Sequence, residues 1–289
     1  MSRFQNLLAV TDESTQSRAA LQKAIQLANL CHGNLTLLRV QLPEYQGVVH
    51  WLDQHLSHHD EQKNEFPRHD SYPNQDIKVR VKHCRAASLA AAVVNEIRQE
   101  DYDLLLVEHH HYAPWLCEFA STDDWQLLKD VALPVLFAGE QPWSSDGRIL
   151  TALDIDDDQE TPTFNRALLH FAGDLAELLH QQLHLLNCYQ DNELGMSFSA
   201  NQAPDEASHH WQKLRQLAEE LALTDDRLHL GNGLPDFVIA DTARACNSDI
   251  VVLGANAHED WLSEIKGHTS QALLNQLQCD ILALRTNLH

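Results

Sequence analysis

A chain of 289 residues with 44% hydrophobic content is long enough for two domains, each with its own core. No apolar run approaches the roughly 20 residues of a membrane span, and one Arg followed by a four-residue apolar stretch makes no signal peptide. Twenty basic residues against forty-two acidic give a net charge of −22, which disfavours nucleic acid and anionic membranes as partners, since both attract chiefly Lys and Arg.

The chain opens with a short apolar strand, Leu7–Val10, followed by Thr11-Asp12. A helix is predicted from Ser14 to His32, with Ser14 as N-cap, Leu21, Ala24, Ala28 and Cys31 at helical spacing, and Gly33 at the stop. Strand Leu35–Val40 follows, then a polar, His-rich stretch from Pro43 to Asp76 with one helix predicted around Trp51. Strand Ile77–Val81 alternates, Val79 and Val81 against Lys78, Arg80 and Lys82, which places it at a sheet edge. A helix from Ser88 to about Gln99 leads to the unbroken run Leu104–Val107, which is expected to be buried on both faces. A helix over Asp123–Asp130 and a strand Val135–Phe137 complete this half.

The same order then repeats. Asp12 returns as Asp154, an offset of 154 − 12 = 142. Strand Leu35–Leu38 returns as Leu183–Leu186 (offset 148), Asp103–Val107 as Asp249–Leu253 (146), and Pro134–Leu136 as Asp280–Leu282 (146). Offsets this constant indicate a duplicated and fused domain, with boundaries at 1–140 and 147–289 and a linker from Gly139 to Gly147. The β-α repetition predicts an α/β fold: two tandem five-stranded parallel sheets with right-handed crossovers and helices on both faces. The closing strands Val135–Phe137 and Ile281–Leu284 are short and apolar, and an unpaired apolar edge invites aggregation. The expected arrangement is therefore an intramolecular pseudo-dimer.

The six cysteines never reach CxxC spacing, so a reduced, cytoplasmic setting is expected. Nineteen histidines cluster at His58-His59, His109-His110-His111 and His209-His210. Three adjacent residues at a strand end point to alternate sides, so the triple is read as titrating surface histidines, and no residue is assigned to a metal.

In a doubly wound sheet ligands sit beyond the carboxyl ends of the strands. In the second half the fourth strand ends in Leu253-Gly254-Ala255-Asn256-Ala257, nine residues follow (258–266), and then Gly267-His268-Thr269-Ser270 leads into a helix. This resembles the universal stress protein family, an adenine-nucleotide α-hydrolase-like fold. Its nucleotide-binding members carry Gly-x-x-Gly, nine residues and Gly-Ser/Thr here, so that backbone N–H groups can approach phosphates. The chain keeps Gly254, the spacing and Gly267, but has Ala257 for the second glycine and His268 for the hydroxyl residue, with Thr269 one position late. The first half has Glu108-His109-His110-His111-Tyr112 instead, without glycine, and Tyr112, Trp115 and Phe119 are expected to fill the equivalent space.

Three stretches extend the resemblance to the tandem branch of that family: Ser121–Leu128 before Pro134-Val135-Leu136, Gln141-Pro142-Trp143, and Gly267-His268-Thr269 before Cys279–Leu282. The resemblance implies a non-enzymatic cytoplasmic stress-response protein, monomeric as a pseudo-dimer or homodimeric, with a protein partner not yet known and no resident cofactor. The alternative it leaves open is a nucleotide-binding regulator holding ATP or AMP, or another small ligand, in the second half. Asp154, Gly254, Gly267, His268 and Thr269 are the candidate contacts. A more remote alternative is a magnesium-dependent phosphatase of the haloacid-dehalogenase type, suggested by Asp154-Ile155-Asp156-Asp157-Asp158. That chemistry needs Thr or Val where Asp157 stands, so a solvated acidic loop at a helix start is the preferred reading. No P-loop lysine, HExxH or Gly-x-Ser-x-Gly motif appears.

Overall fold

The computed structural model describes residues 3–12, 18–43, 77–109, 123–155, 161–189, 206–255 and 277–285. It divides into two compact units, one ending at Glu140 and the other beginning at Gln141.

In the first unit the strands are β1 (Asn6–Asp12), β2 (Asn34–Gln41), β3 (Lys78–Arg85), β4 (Leu104–Glu108) and β5 (Val135–Ala138). They lie in the order β3-β2-β1-β4-β5 and pair in parallel. The helices are α1 (Ala19–Cys31), α2 (Leu89–Ile97) and α3 (Asp123–Asp130). Strand β4 is apolar until Glu108 and buried throughout, as an inner strand covered on both faces should be. Strand β3 is the edge strand, but its alternation differs from the sequence expectation. Val81 is 42% exposed, whereas Lys82 is half-buried, because Glu96 of α2 and Glu100, just beyond the helix end, face it.

Helix α1 begins later than its periodicity suggests. Its N-cap is Arg18, without a side-chain cap, and Ser14 lies outside the described residues. The residue in the left-handed conformation at its end is His32 (φ 51°), not Gly33. Gly33 is needed for a different reason: a Cβ there would lie 2.8 Å from the Gln5 carbonyl oxygen and 2.9 Å from that of Phe4. Helix α2 starts as predicted, with Ser88 Oγ accepting from the Ala91 N–H at 3.1 Å. The helix expected around Trp51 falls outside the described residues.

The second unit repeats the plan with β6 (Arg148–Leu153), β7 (Gln182–Tyr189), β8 (Leu228–Asn232), β9 (Ser248–Ala255) and β10 (Asp280–Arg285), ordered β10-β9-β6-β7-β8. Its helices are α4 (Thr161–Leu179), α5 (Glu206–Glu219) and α6 (Pro235–Cys246), with a short 3-10 turn at Asp225–Arg227. Strand β8 takes the edge, as β3 does in the first unit. The duplication reaches individual hydrogen bonds. Asp103 Oδ2 accepts from the backbone N–H groups of Gln5 (2.8 Å) and Asn6 (2.7 Å). Its counterpart, 146 residues on, is Asp249, which accepts from the Ser144 N–H (2.6 Å) and Gln181 Nε2 (2.7 Å). In each unit a carboxylate at the foot of a central strand ties down the chain segment leading into the neighbouring one.

Candidate functional site

Strands β6 and β9 are neighbours, Thr151 opposite Val252, so Asp154, just past the end of β6, and Gly254, near the end of β9, both lie at the carboxyl edge of the second sheet. The other candidate residues there, Gly267, His268 and Thr269, lie outside the described residues. Asp154 is exposed, and its carbonyl oxygen accepts a hydrogen bond from Asn165 Nδ2, which joins the strand end to α4. The carboxylate also acts on its surroundings. Burial, with the negative charge of Asp154 beside it, pushes the Cys188 thiol up to about 12, so this cysteine is held protonated rather than nucleophilic.

Gly254 has a tightly packed neighbour of its own. A Cβ on it would lie 2.4 Å from Cε1 of Phe164, whose ring belongs to the first turn of α4 and is buried. The absence of a side chain at Gly254 is therefore used by the protein's own aromatic ring. The neighbouring strands β6 and β7 carry two buried polar groups that sequence reasoning missed. Asn187, 1% exposed, donates from Nδ2 to the Leu153 carbonyl at 2.9 Å, and its Oδ1 has no hydrogen-bond partner among the described residues. Thr151 Oγ1 is in the same condition. The available signal was a lone amide in the apolar run Leu185-Leu186-Asn187. Buried amides are rarely left half-satisfied.

The first unit carries a different solution at the equivalent place. Glu108 stands 254 − 108 = 146 residues before Gly254, at the carboxyl end of β4, and is 5% exposed. Its Oε1 accepts from the Ala20 N–H in the first turn of α1 at 3.2 Å. A helix start with free N–H groups is where a phosphate would bind. Here the chain's own carboxylate takes that N–H, and its negative charge opposes a second anion. Nearby Lys23, 4% exposed, donates from Nζ to the Gly139 carbonyl at 2.7 Å. The aromatic residues expected to fill this space, Tyr112, Trp115 and Phe119, lie outside the described residues, as do His110 and His111.

A cleft of about 310 Å³ opens at the opposite end of the second sheet, at the amino ends of β9 and β10, lined in part by Trp143, Arg244, Asn247, Asp249 and Cys279. It belongs to the second unit, but not to the carboxyl-end position that the glycine spacing marks. One wall is fixed by Trp143 Nε1, which donates to Asp280 Oδ2 at 2.8 Å, so the Gln141-Pro142-Trp143 stretch is tied to β10 by a side-chain bond. No helix among the described residues is long and apolar enough to cross a membrane.

Comparison with known proteins agrees with this geometry. The sequence model described as the universal stress protein family matches residues 3–136 and again 147–285. Among curated proteins, a universal stress protein E homolog from Haemophilus influenzae is 24% identical over 302 residues, covering 98% of both chains. Universal stress protein E of Escherichia coli K12 is 22% identical over 316 residues, covering 99% of this chain and 95% of its own. A universal stress protein from Archaeoglobus fulgidus shares the fold at a TM-score of 0.65 with 12% identity, covering 98% of each chain.

Proposed function

This chain belongs to the universal stress protein family, in a tandem arrangement of two such domains, and from that premise we propose that it is a non-enzymatic stress-response module that works through a protein partner rather than through a tightly held nucleotide. One observation carries this reading. In the first domain Glu108 accepts from the Ala20 N–H at the helix start where a phosphate would bind, and in the second Phe164 packs close against Gly254, the glycine that would let backbone approach a phosphate. A family member that used either site for ATP would need that space and those N–H groups.

The same reading assigns no resident cofactor and no catalytic residue, and it puts the protein in the cytoplasm as a monomer or homodimer. Its acidic surface suits partners with basic faces rather than nucleic acid. The alternative, a regulator binding ATP or AMP in the second domain, draws support from Asp154, which is exposed beside Gly254 at the strand ends.

Two measurements decide between them. Native mass spectrometry of the full chain, followed by calorimetric titration with ATP and AMP, is expected to show neither copurified nucleotide nor saturable binding. Stoichiometric nucleotide, lost on Asp154→Asn, would reverse the assignment. Incubation with a generic phosphate ester and magnesium is expected to release no phosphate. Turnover abolished by Asp154→Asn would restore the phosphatase reading of the acidic loop.

A further inference from the structure

A cluster in the second domain, away from the carboxyl-end site, brings together two imidazoles and a thiol. His184 in β7, His229 in β8 and Cys246, the last residue of α6, each offer a ligand atom, and these atoms lie within 4.8 Å of one another. Register explains the meeting. His229 is opposite Leu186, and residues two apart on a strand share a face, so His184 and His229 stand diagonally on one face of the sheet. Their rings are stacked with centroids 5.3 Å apart. The end of α6 brings in the thiol, and Arg148 Nη1 fixes that end by donating to the Cys246 carbonyl at 2.6 Å.

Hydrogen bonding within the protein leaves this cluster incompletely satisfied. His184 Nδ1 faces His229 Nε2 at 3.0 Å, and Cys246 Sγ approaches that same Nε2 at 3.5 Å. A neutral imidazole nitrogen has either one hydrogen or one lone pair to offer, so Nε2 of His229 can serve one of these neighbours well but not both. The other ring nitrogen of His184, Nε2, is buried and has no hydrogen-bond partner among the described residues. A cation among the three groups would use a lone pair from each of them.

We infer that His184, His229 and Cys246 bind a single transition-metal ion of borderline or thiophilic character, with Zn²⁺ as its representative. Two of the three spacings, those to His229 Nε2, fit that chemistry. Zinc bonds of about 2.0–2.1 Å to nitrogen and 2.3 Å to sulfur put tetrahedral ligands about 3.3 Å apart for two nitrogens and about 3.6 Å for nitrogen and sulfur. The 3.0 Å between the two imidazole nitrogens and the 3.5 Å between Cys246 Sγ and His229 Nε2 fall within a few tenths of an ångström of these. Burial, with His229 and Arg148 nearby, pushes His184 down to about 4, and burial lowers His229 as well, so both rings are neutral and able to ligate at neutral pH. The Cys246 thiol, pushed up by burial, is protonated without metal. On binding, the S–H bond breaks, the sulfur lone pair forms the metal–thiolate bond, and one proton leaves to solvent. Three protein ligands leave a fourth position for water.

The test uses the full chain stripped of metal with a chelator and titrated with Zn²⁺ by calorimetry, then with Co²⁺ as a spectroscopic probe. One ion per chain is expected, with a thiolate-to-cobalt charge-transfer band and the visible bands of four-coordinate cobalt. Cys246→Ser should abolish the charge-transfer band. It should also weaken zinc binding by at least the roughly 10- to 100-fold that loss of even an outer-shell partner costs. His229→Gln should weaken binding at least as much. The double change His209→Gln with His210→Gln, in the separate histidine pair on α5, should leave both readouts unchanged. Urea midpoints confirm folding of each variant, and the near-isosteric Cys246→Ser decides the matter if His229→Gln fails to fold. Unchanged affinity in Cys246→Ser, a cobalt spectrum without the thiolate band, or binding lost only with His209 and His210 would each overturn the site.

Discussion

The two domains fill the same position on the sheet with opposite chemistries. By strand register and repeat offset, His184, His229 and Cys246 of the second domain correspond to Thr36, Lys82 and Glu100 of the first. In the first domain Lys82 Nζ donates to Glu96 Oε1 at 2.6 Å and to Glu100 Oε1 at 3.1 Å, and the Tyr102 hydroxyl donates to Glu96 Oε1 at 2.6 Å. Arg80 closes the outer side on Glu100. Burial and the two carboxylates push the Tyr102 phenol well above its ordinary range. One domain thus closes the edge of its sheet with paired charges, and the other with neutral, metal-ligating groups. The carboxyl ends diverge in the same way, an acid on a helix start in one domain and an aromatic ring on a glycine in the other. Duplication preserved the backbone positions while the groups standing on them changed character.

The largest expected effect breaks the charged cluster. Lys82→Met leaves Glu96, whose side chain is 7% exposed, without its cation, and should cost up to about 3 kcal/mol in urea denaturation, as removal of one partner from a buried pair does. His229→Gln in metal-free protein removes only neutral contacts and should cost nearer ~1 kcal/mol. Equal losses would mean the two clusters do not differ as described.

Next comes a difference in acid sensitivity, measured with chelator present. A histidine whose folded value is depressed binds fewer protons folded than unfolded, so its contribution is intact above 6.5 and is lost as pH falls toward about 4. The urea midpoint should therefore fall across that window, and His184→Gln should flatten the fall. In the first domain Glu100 is held below the ordinary carboxylate value, mainly by its hydrogen bond from Lys82. Its contribution is present above 4.5 and is lost only below it. A midpoint independent of pH from 6.5 to 4 in the parent chain would contradict the burial of the His184 ring.

Gly254→Ala comes third. The added methyl meets Phe164, and overpacking should cost about 1–2 kcal/mol, with most of the loss recovered in a Phe164→Leu background. If the glycine served only an incoming ligand, the thermal midpoint would not move.

The smallest effect compares helix starts. Ser88 caps α2, whereas its counterpart α6 begins behind Leu234, which is 52% exposed and makes no side-chain cap. Ser88→Ala should lose about 1 kcal/mol, and Leu234→Ser should gain a few tenths, both read from denaturation curves.

Architecture was legible in the sequence because it rests on local patterns: the unbroken run Leu104–Val107 for an inner strand, alternation at Ile77–Val81 for an edge, Ser88 for a helix start, and a near-constant offset for duplication. Each of these is set by residues close in the chain and by which faces must be dry. The tertiary structure alone decided which side chains meet. Lys82 turned inward against the alternation because α2 and the turn after it supplied the carboxylates of Glu96 and Glu100, a fact that depends on where a separate helix packs. Phe164 and Gly254 are 90 residues apart, and Glu108 reaches Ala20 across 88. His184, His229 and Cys246 are separated by 45 and 17 residues and share no motif spacing, so only the register of β7 on β8 and the end of α6 assemble them. Periodicity dictates which face of an element is buried, whereas the group opposite it is fixed by register and helix placement, which no local pattern records.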